Sequence, residues 1–335
     1  MKNIKRALCV LSILFIMGMV CAGCESKKED NAKQSISSAG QKLQGTIRVS
    51  GAWALYPMMV KWAEEFSKIH PEVRVDVSAG GAGKGVADAL AGLVDIGMVS
   101  REISPEEIQK NAFYVPVVKD AVFATVNEAN PVLAKGLLVK GLKKKTFYDL
   151  WITGKTMTWG DVAGMPSKDR IQVYTRSDSC GAAEIWAKYL EGKKQEDLKG
   201  VGVYGDPGVA EAVKKDAFGI GFNNLNYAYD AKTGLPLKGI QVIPIDVNEN
   251  GRVDDEEKLS NKKQAMQAVM SGSYPSPPAR DLYILSNGKF KGLSKEFVKW
   301  ILTDGQKFVE EVGYIKPADD KIKTALAKME DQNIK

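Results

Sequence analysis

The sequence predicts an α/β protein whose sheets are mostly parallel. Three times the chain passes from a strand pattern through a loop into an amphipathic helix, which is the repeating unit of sheets covered by helices. Its 335 residues are enough for two domains with full cores. A crossing segment at 127–131 and a returning strand at 240–245 indicate where the two join. We therefore expect two lobes and a hinge, with lobe 1 formed by 46–126 and 240–335 and lobe 2 by 127–239.

Residues 1–23 have the pattern of an export signal. Three basic residues precede an apolar run, 7–20, that is too short for an ordinary membrane span. Small residues and Cys24 follow, which resembles a bacterial lipoprotein signal with Cys24 as the lipidated first residue, although Cys21 stands where Leu is usual. The alternative is an ordinary secretory signal. We expect a lipid anchor on the extracytoplasmic side of a membrane, with the polar residues 24–45 as a flexible tether.

The charge balance and the cysteine count exclude two classes of protein. The chain has a formal net charge of +6, but loss of the signal removes three basic and no acidic residues, which leaves 44 basic against 41 acidic. This small excess gives no case for nucleic-acid binding. Besides Cys24, Cys180 is the only cysteine of the mature chain, so a framework of intramolecular disulfides is excluded.

The first strand–loop–helix unit begins with a strand at 46–50 and ends with a helix that runs to Ile69. Pro57 suits the first helical turn, because the N–H that it lacks would be unpaired there anyway. His70 is the only histidine, and its place beside a proline at the helix end favours a surface position over a catalytic one.

The second unit contains a glycine-rich turn. A strand at 73–77 is followed by four glycines between 80 and 85 and then by apolar residues at helical spacing. This arrangement directs backbone N–H groups and the positive end of a helix dipole at one point, which suits an anion. The turn matches neither the Walker loop nor the dinucleotide fingerprint, so tight packing of the helix on the sheet is the alternative explanation. The next strand opens with Asp95, a carboxylate that could accept a proton.

The third unit places an arginine beside a helix start. A strand at 171–174 leads to Arg176, and a helix begins near Gly181. A guanidinium there could bind an oxyanion through two hydrogen bonds. We also expect the Cys180 thiol, at a helix start beside an arginine, to ionise more easily than a free one.

Together these segments resemble the phosphate-binding subunit of bacterial phosphate ABC transporters over about 45–317. The resemblance implies a two-lobed periplasmic-binding-protein fold of type II, with a doubly wound, mostly parallel sheet in each lobe. It also implies phosphate as the ligand and a membrane permease as the partner, and we expect a monomer. The segments that carry it are 50–57, 61–65, 94–101, 153–159, 174–177, 218–222 and 274–280.

Transferred residue by residue, the family's binding site is only partly present. Asp95 matches the acid that accepts the proton of the bound phosphate, and Arg176 matches the clamping arginine. The other matching positions lack the family's hydroxyl groups, so we expect weaker phosphate binding, substitute donors at Ser50, Ser179 or Trp53, or a related protonated oxyanion. These ligand-loop positions are Ala54, Leu55, Ala82, Cys180, Gly181 and Ala182. With no other charge assigned to the site, we expect Arg176 to carry most of the anion affinity.

Residues 246–257 fit the calcium-binding loop pattern. Oxygen-bearing side chains fall at its first, third and fifth positions, glycine at the sixth and glutamate at the twelfth. An acidic surface turn is the alternative. Because a strand rather than a helix precedes the loop, a structural ion is expected rather than a sensor. The predicted ligands are Asp246, Asn248, Asn250, Arg252 through its backbone, Asp254 and Glu257.

The function expected from these features is that of a non-enzymatic, lipid-anchored binding protein that delivers an oxyanion to a permease. An enzyme is disfavoured, because no nucleophile, base and acid can be assigned together from the spacing. A sensory or interaction protein that keeps the fold after loss of transport is the alternative.

Overall fold

The computed structural model describes residues 42–192 and 194–331. The predicted signal, the lipidation site at Cys24 and nearly all of the predicted tether lie outside these residues. The strands are β1 (Gly45–Gly51), β2 (Val73–Ala79), β3 (Ile96–Val99), β4 (Ala112–Asn127), β5 (Gln172–Arg176), β6 (Val201–Val203), β7 (Gly219–Asn224), β8 (Ile240–Val242) and β9 (Ala279–Asn287).

Helices connect and cover these strands. Each of the three predicted units is present, since β1, β2 and β5 lead through a loop into the helices α1, α2 and α7. The helices are α1 (Tyr56–Ile69), α2 (Ala82–Leu90), α3 (Pro105–Gln109), α4 (Leu138–Lys140), α5 (Lys144–Tyr148), α6 (Trp159–Ala163), α7 (Gly181–Tyr189), α8 (Gly205–Lys215), α9 (Leu225–Ala228), α10 (Lys262–Ser271), α11 (Gly292–Leu302), α12 (Val309–Val312) and α13 (Asp319–Glu330).

The sheet is mixed, with parallel pairs at its two ends. β1 pairs in parallel with β2 and β3, and β5 pairs in parallel with β6 and β7. The long strands β4 and β9 run antiparallel to each other and to their other neighbours, and they link the two parallel groups. The α/β class predicted from the sequence is confirmed, while the two antiparallel linking strands were not foreseen.

Two large hydrophobic cores lie along this sheet, beside a small third cluster formed by Val209, Val213 and Ile240. The first core gathers β1–β3, α1, α11 and the first half of β4, with Trp62, Phe66 and Phe297 fully buried in it. The second core gathers the other half of β4, β7 and α7, with Trp151 and Trp186 fully buried.

The cores divide the chain at different points from the predicted lobe limits. β4 passes from the first core to the second at Lys119 and Asp120, several residues before the predicted crossing at 127–131. Val242, Ile243 and Ile245 pack in the second core, and β8 pairs with the end of β4, whereas the sequence placed residues 240–245 in lobe 1. Because β4 is one continuous strand that contributes to both cores, no turn residue marks the point where it passes from one core to the other. The sequence composition therefore does not reveal this boundary.

Among the described residues, no helix combines the length and apolar character needed to cross a membrane.

Candidate functional site

The loops that precede the helices of the two parallel groups meet one another. The Gly83 N–H donates to the Ser179 carbonyl oxygen at 3.3 Å, which joins the second unit to the third. A Cβ atom on Gly181 would lie 2.1 Å from the Ser100 carbonyl oxygen, so only glycine permits this close approach. The first loop is held as well, because the Tyr227 hydroxyl donates to the Trp53 carbonyl oxygen at 3.3 Å. The three loops are therefore held in contact where the two parallel groups of strands approach each other, and this contact region is the joint between the two parts of the sheet.

The ligand-loop positions predicted from the sequence are all buried at this joint. They are Ala54, Leu55, Ala82, Cys180, Gly181 and Ala182. The first turns of α2 and α7 begin here, and the N–H groups of a first turn have no partner inside the helix. Together with the positive ends of the two helix dipoles, they give the joint a capacity for an anion.

Cys180 caps α7 rather than acting as a reactive thiol. Its Sγ atom accepts a hydrogen bond from the Ala183 N–H at 3.4 Å, which is the bond that a serine cap usually makes. Burial raises the pKa of the Cys180 thiol to about 12, because the thiolate loses its hydration, and this outweighs the nearby Arg176. The expected easy ionisation of this thiol is therefore wrong.

Arg176 is buried and already bound by two carboxylates. Its Nε and Nη2 atoms donate to the two oxygens of Asp178 at 2.8 and 2.6 Å, and Nη1 donates to Asp206 at 2.5 Å. These contacts use three of the five N–H groups of the guanidinium, so two remain for a ligand. Neither acid was assigned to the site from the sequence, although Asp178 is only two residues from Arg176.

Asp95 lies at the wrong end of its strand to meet Arg176. It precedes β3, and its carboxylate accepts the Arg48 N–H at 2.7 Å, with about a third of the side chain exposed. Ser100, which contacts the third loop, is five residues further along the strand, or about 16 Å at the rise of an extended chain. The prediction that Asp95 accepts the proton of the ligand is therefore wrong: the acid was matched by its motif, and the strand direction removes it from the joint.

A further arginine, Arg280, completes a buried polar network that the sequence did not reveal. Its Nη2 atom donates to the Asn224 side-chain oxygen and contacts Asp120 at 3.4 Å. Asn224 in turn donates to Asp206 at 2.6 Å, which links Arg280 to Arg176. The Nε and Nη1 atoms of Arg280 are buried and have no hydrogen-bond partner among the described residues.

Burial shifts the ionisation of this network. The pKa of Asp120 is raised to about 6, because the ionised carboxylate is cut off from water, and Arg280 offsets only part of the cost. The same loss of hydration lowers the pKa of Arg280 from its usual value. The segment 274–280, which ends in Arg280, is one of those that carry the family resemblance. No motif in the sequence assigned a binding role to the Arg280 side chain.

The three substitute donors predicted from the sequence have different fates. Trp53, in the first loop, has a buried indole N–H with no partner among the described residues. The Ser50 hydroxyl donates to Asp88 at 2.7 Å and is thereby engaged, while Ser179 is exposed. Trp53 is therefore the candidate whose donor is still available.

The predicted calcium ligands lie apart from this joint, in the loop that follows β8. Within 42–192 and 194–331, no group of three or more His, Cys, Asp or Glu side chains is arranged to hold a metal ion. A cation in this loop would therefore depend on amide and backbone oxygens besides carboxylates.

These features define a periplasmic-binding-protein type of molecule. Residues 37–305 match the model of the PBP superfamily domain, and the chain belongs to this family. The fold agrees with a substrate-binding protein crystallised with bound phosphate from Clostridium perfringens (TM-score 0.67, 23% identity, 82% of this chain and 100% of that one). It also agrees with an ABC-type phosphate transport receptor from Vibrio cholerae (TM-score 0.57, 21% identity, 81% and 100%). The two-lobed fold predicted from the sequence is thus confirmed.

The curated relatives point to one kind of binding protein. The phosphate-binding protein PstS of Bacillus subtilis strain 168 is 27% identical over 330 residues, which cover 96% of this chain and 97% of the relative. The protein of the same name from Staphylococcus aureus strain USA300 is 26% identical over 298 residues, covering 86% and 84%.

Proposed function

We propose that the protein is the substrate-binding protein of an ABC transporter and binds phosphate, or a related protonated oxyanion, at the closed joint between its lobes. The names and coverage of the relatives support this proposal. The observation that carries it is Arg280, a buried guanidinium with two nitrogen atoms, Nε and Nη1, whose three N–H groups no described residue accepts.

An unpaired buried donor is costly, about 1–3 kcal/mol and more for a charged group, so native proteins rarely leave one without a partner. An oxyanion would accept from Arg280 and from the two remaining N–H groups of Arg176. The first turns of α2 and α7 and the indole N–H of Trp53 would add neutral donors. These groups replace the hydroxyls that Ala54, Ala82, Cys180 and Ala182 lack.

The selection of a protonated anion then falls to a carboxylate other than Asp95. Asp178 and Asp206 are both bound by Arg176, whereas Asp120 contacts Arg280 alone of the two arginines. Since the pKa of Asp120 is about 6, its protonation can change near neutral pH together with that of phosphate. An acid of this kind would favour a ligand that shares a proton with it over sulfate, which carries none.

The same geometry argues against an enzyme and gives no support of its own to a sensory role. Cys180, the candidate nucleophile of the third loop, is held as a thiol by burial. The proposed partner is a membrane permease, and Cys24 would anchor the protein on the extracytoplasmic side. The anchor rests on the sequence pattern at residues 1–24 alone.

The test is calorimetric titration of the purified protein, freed of bound anions by dialysis, with phosphate and with sulfate. We expect one phosphate per chain and at least tenfold weaker binding of sulfate. Absence of phosphate binding, or a preference for sulfate, would overturn the proposal.

A further inference from the structure

The loop 246–257 is folded around its first residue. The Gly251 N–H, at the sixth position, donates to Oδ2 of Asp246 at 2.9 Å. Gly251 has a φ of +81°, which favours glycine and turns the chain sharply at this point. The carboxylate of Asp246 is thereby turned into the loop, as the first ligand of a calcium loop must be.

Asp246 also carries an oxygen that no described group satisfies. Its side chain is only 2% exposed, and Oδ1 is buried without a hydrogen-bond partner. A buried carboxylate oxygen of this kind costs free energy unless a donor or a cation faces it. The unpaired state of this oxygen is an observation that does not depend on the sequence motif. It indicates that a positively charged partner belongs beside Asp246.

The other predicted positions supply oxygens around the same turn. Oδ1 of Asn248 accepts the Asn250 N–H, and Oδ1 of Asn250 accepts the Arg252 N–H, both at 3.0 Å. Glu257, only 6% exposed, closes the loop, because its two oxygens accept the N–H groups of Val247 at 2.8 Å and Asp254 at 3.1 Å. Both ends of the twelve-residue segment are thus brought together by carboxylates.

The charge of the segment favours a cation. Residues 246–258 contain six acidic and two basic side chains. Asp254, at the ninth position, has a carboxylate that accepts hydrogen bonds from the side chains of Asn248, Asn250 and Arg252. In calcium loops the ninth position often acts through water.

We propose that residues 246–257 bind one calcium ion. Its ligands would be Asp246, Asn248, Asn250, the backbone carbonyl of Arg252 and both oxygens of Glu257, with Asp254 acting through water. A set of ligands made only of oxygens suits a hard cation. The number of oxygen ligands and the flexible geometry of a loop suit calcium better than magnesium.

The ion would have a structural task. The Asp246 N–H donates to the Leu142 carbonyl oxygen at 3.1 Å, and the Val253 N–H donates to that of Val139 at 2.8 Å. The loop therefore holds the segment 139–142 at the edge of the second core. Calcium would fix this contact, and its binding should raise the thermal stability of the protein without being needed for phosphate binding.

The experiment is calorimetric and thermal titration of the chelator-treated protein with calcium chloride, in a buffer free of phosphate. Two variants remove ligands: Glu257→Gln, which loses the bidentate carboxylate, and Asn248→Ala, an exposed position whose change leaves the core intact. Asp255→Asn is the matched control, because Asp255 lies in the same loop, its side chain is 91% exposed, and its ion pair among the described residues is with Lys258.

We expect one calcium per chain and a rise in Tm of about 5 °C at a hundredfold excess over Kd. Glu257→Gln and Asn248→Ala should each weaken calcium binding at least tenfold, and Asp255→Asn should bind within a factor of three of the wild type. Three results would overturn the proposal: no calcium binding by the wild type, equal stabilisation by magnesium, or wild-type affinity in both ligand variants. If Glu257→Gln fails to fold, Asn248→Ala decides.

Discussion

At the scale of single residues, the two buried arginines have different tasks. Arg176 donates three hydrogen bonds to Asp178 and Asp206. It therefore joins the third loop to the start of α8 in the absence of a ligand. Arg280 contacts one carboxylate, Asp120, at 3.4 Å, and its Nε and Nη1 atoms, with three N–H groups, have no partner among the described residues. In the proposed site the ligand would therefore depend on Arg280 for positive charge that is not already paired, which differs from the expectation that Arg176 carries most of the affinity.

Arg280→Lys should lower phosphate affinity by about ten- to a hundredfold. Lysine keeps one charge, but it lacks the planar set of donors, and a hydrogen bond to a charged group contributes about 1.5–3 kcal/mol. Calorimetry with phosphate measures the effect. Arg48→Lys, an exposed position on β1, serves as the control and should leave affinity unchanged. Equal affinity of Arg280→Lys and the wild type would remove Arg280 from the site.

Asp95→Asn should leave phosphate affinity and the preference over sulfate within twofold of the wild type. Its carboxylate contacts Arg48 at the far end of β3, so a change there does not reach the joint. The same two titrations provide the measurement. A loss of discrimination in this variant would show that Asp95 does face the ligand.

At the scale of elements, the starts of α2 and α7 would add backbone N–H donors to the proposed anion site beside the two arginines. The first two residues of each helix are small, Ala82 and Gly83 in α2 and Gly181 and Ala182 in α7, so no bulky side chain covers these helix starts. The weak point is the cap of α7, because sulfur accepts a hydrogen bond less well than oxygen does.

Cys180→Ser should stabilise the protein by up to about 1 kcal/mol, since serine is among the preferred caps and fits the space of cysteine. The added hydroxyl should also tighten phosphate binding. Urea unfolding and phosphate calorimetry on the same preparations measure the two effects. A variant that is less stable and binds phosphate more weakly would contradict the role of residue 180 as a cap beside the ligand.

At the scale of the whole molecule, the two cores meet where β4 and β9 cross from one to the other. Asp120 and Arg280 face each other at this crossing and lie between the cores. An ionisable pair that is buried between the two cores couples the stability of the molecule to pH. Because the pKa of Asp120 in the folded state is raised from 3.8 to about 6, the folded protein binds more protons than the unfolded chain between these values.

The stability contributed by this proton is therefore greatest below about pH 4 and is lost as pH rises through 6, by about 3 kcal/mol in all. Asp120→Asn cannot ionise and should lack this component of the pH dependence. Urea unfolding of both proteins at pH 4.5 and pH 7.5 is the measurement. If the difference between the two pH values is the same in both, the carboxyl of Asp120 is not the group that titrates.

Much of the fold could be inferred from local patterns. Strand and helix periods mark β1 with α1, β2 with α2 and β5 with α7, because each element buries one face and its sequence must follow that face. The ligand loops at Ala54, Ala82 and Cys180 followed from their positions between a strand and a helix. The carboxyl ends of β1 and β2 lie at one edge of the sheet because these two strands are parallel. β5 runs in the opposite direction, so its loop reaches theirs only through the tertiary fold.

Only the tertiary structure decided which charges meet at that edge. Asp206 and Arg280 are 30 and 104 residues from Arg176 along the chain, and no local pattern joins them. Asp95 is the opposite case, because its motif was recognisable in the sequence, but the direction of β3 places Asp95 at the end of the strand that lies away from the joint. Local sequence determines secondary structure through short-range periodicity, whereas the composition of a buried site depends on how strands from distant segments are aligned, and that alignment is set by the packing of both cores.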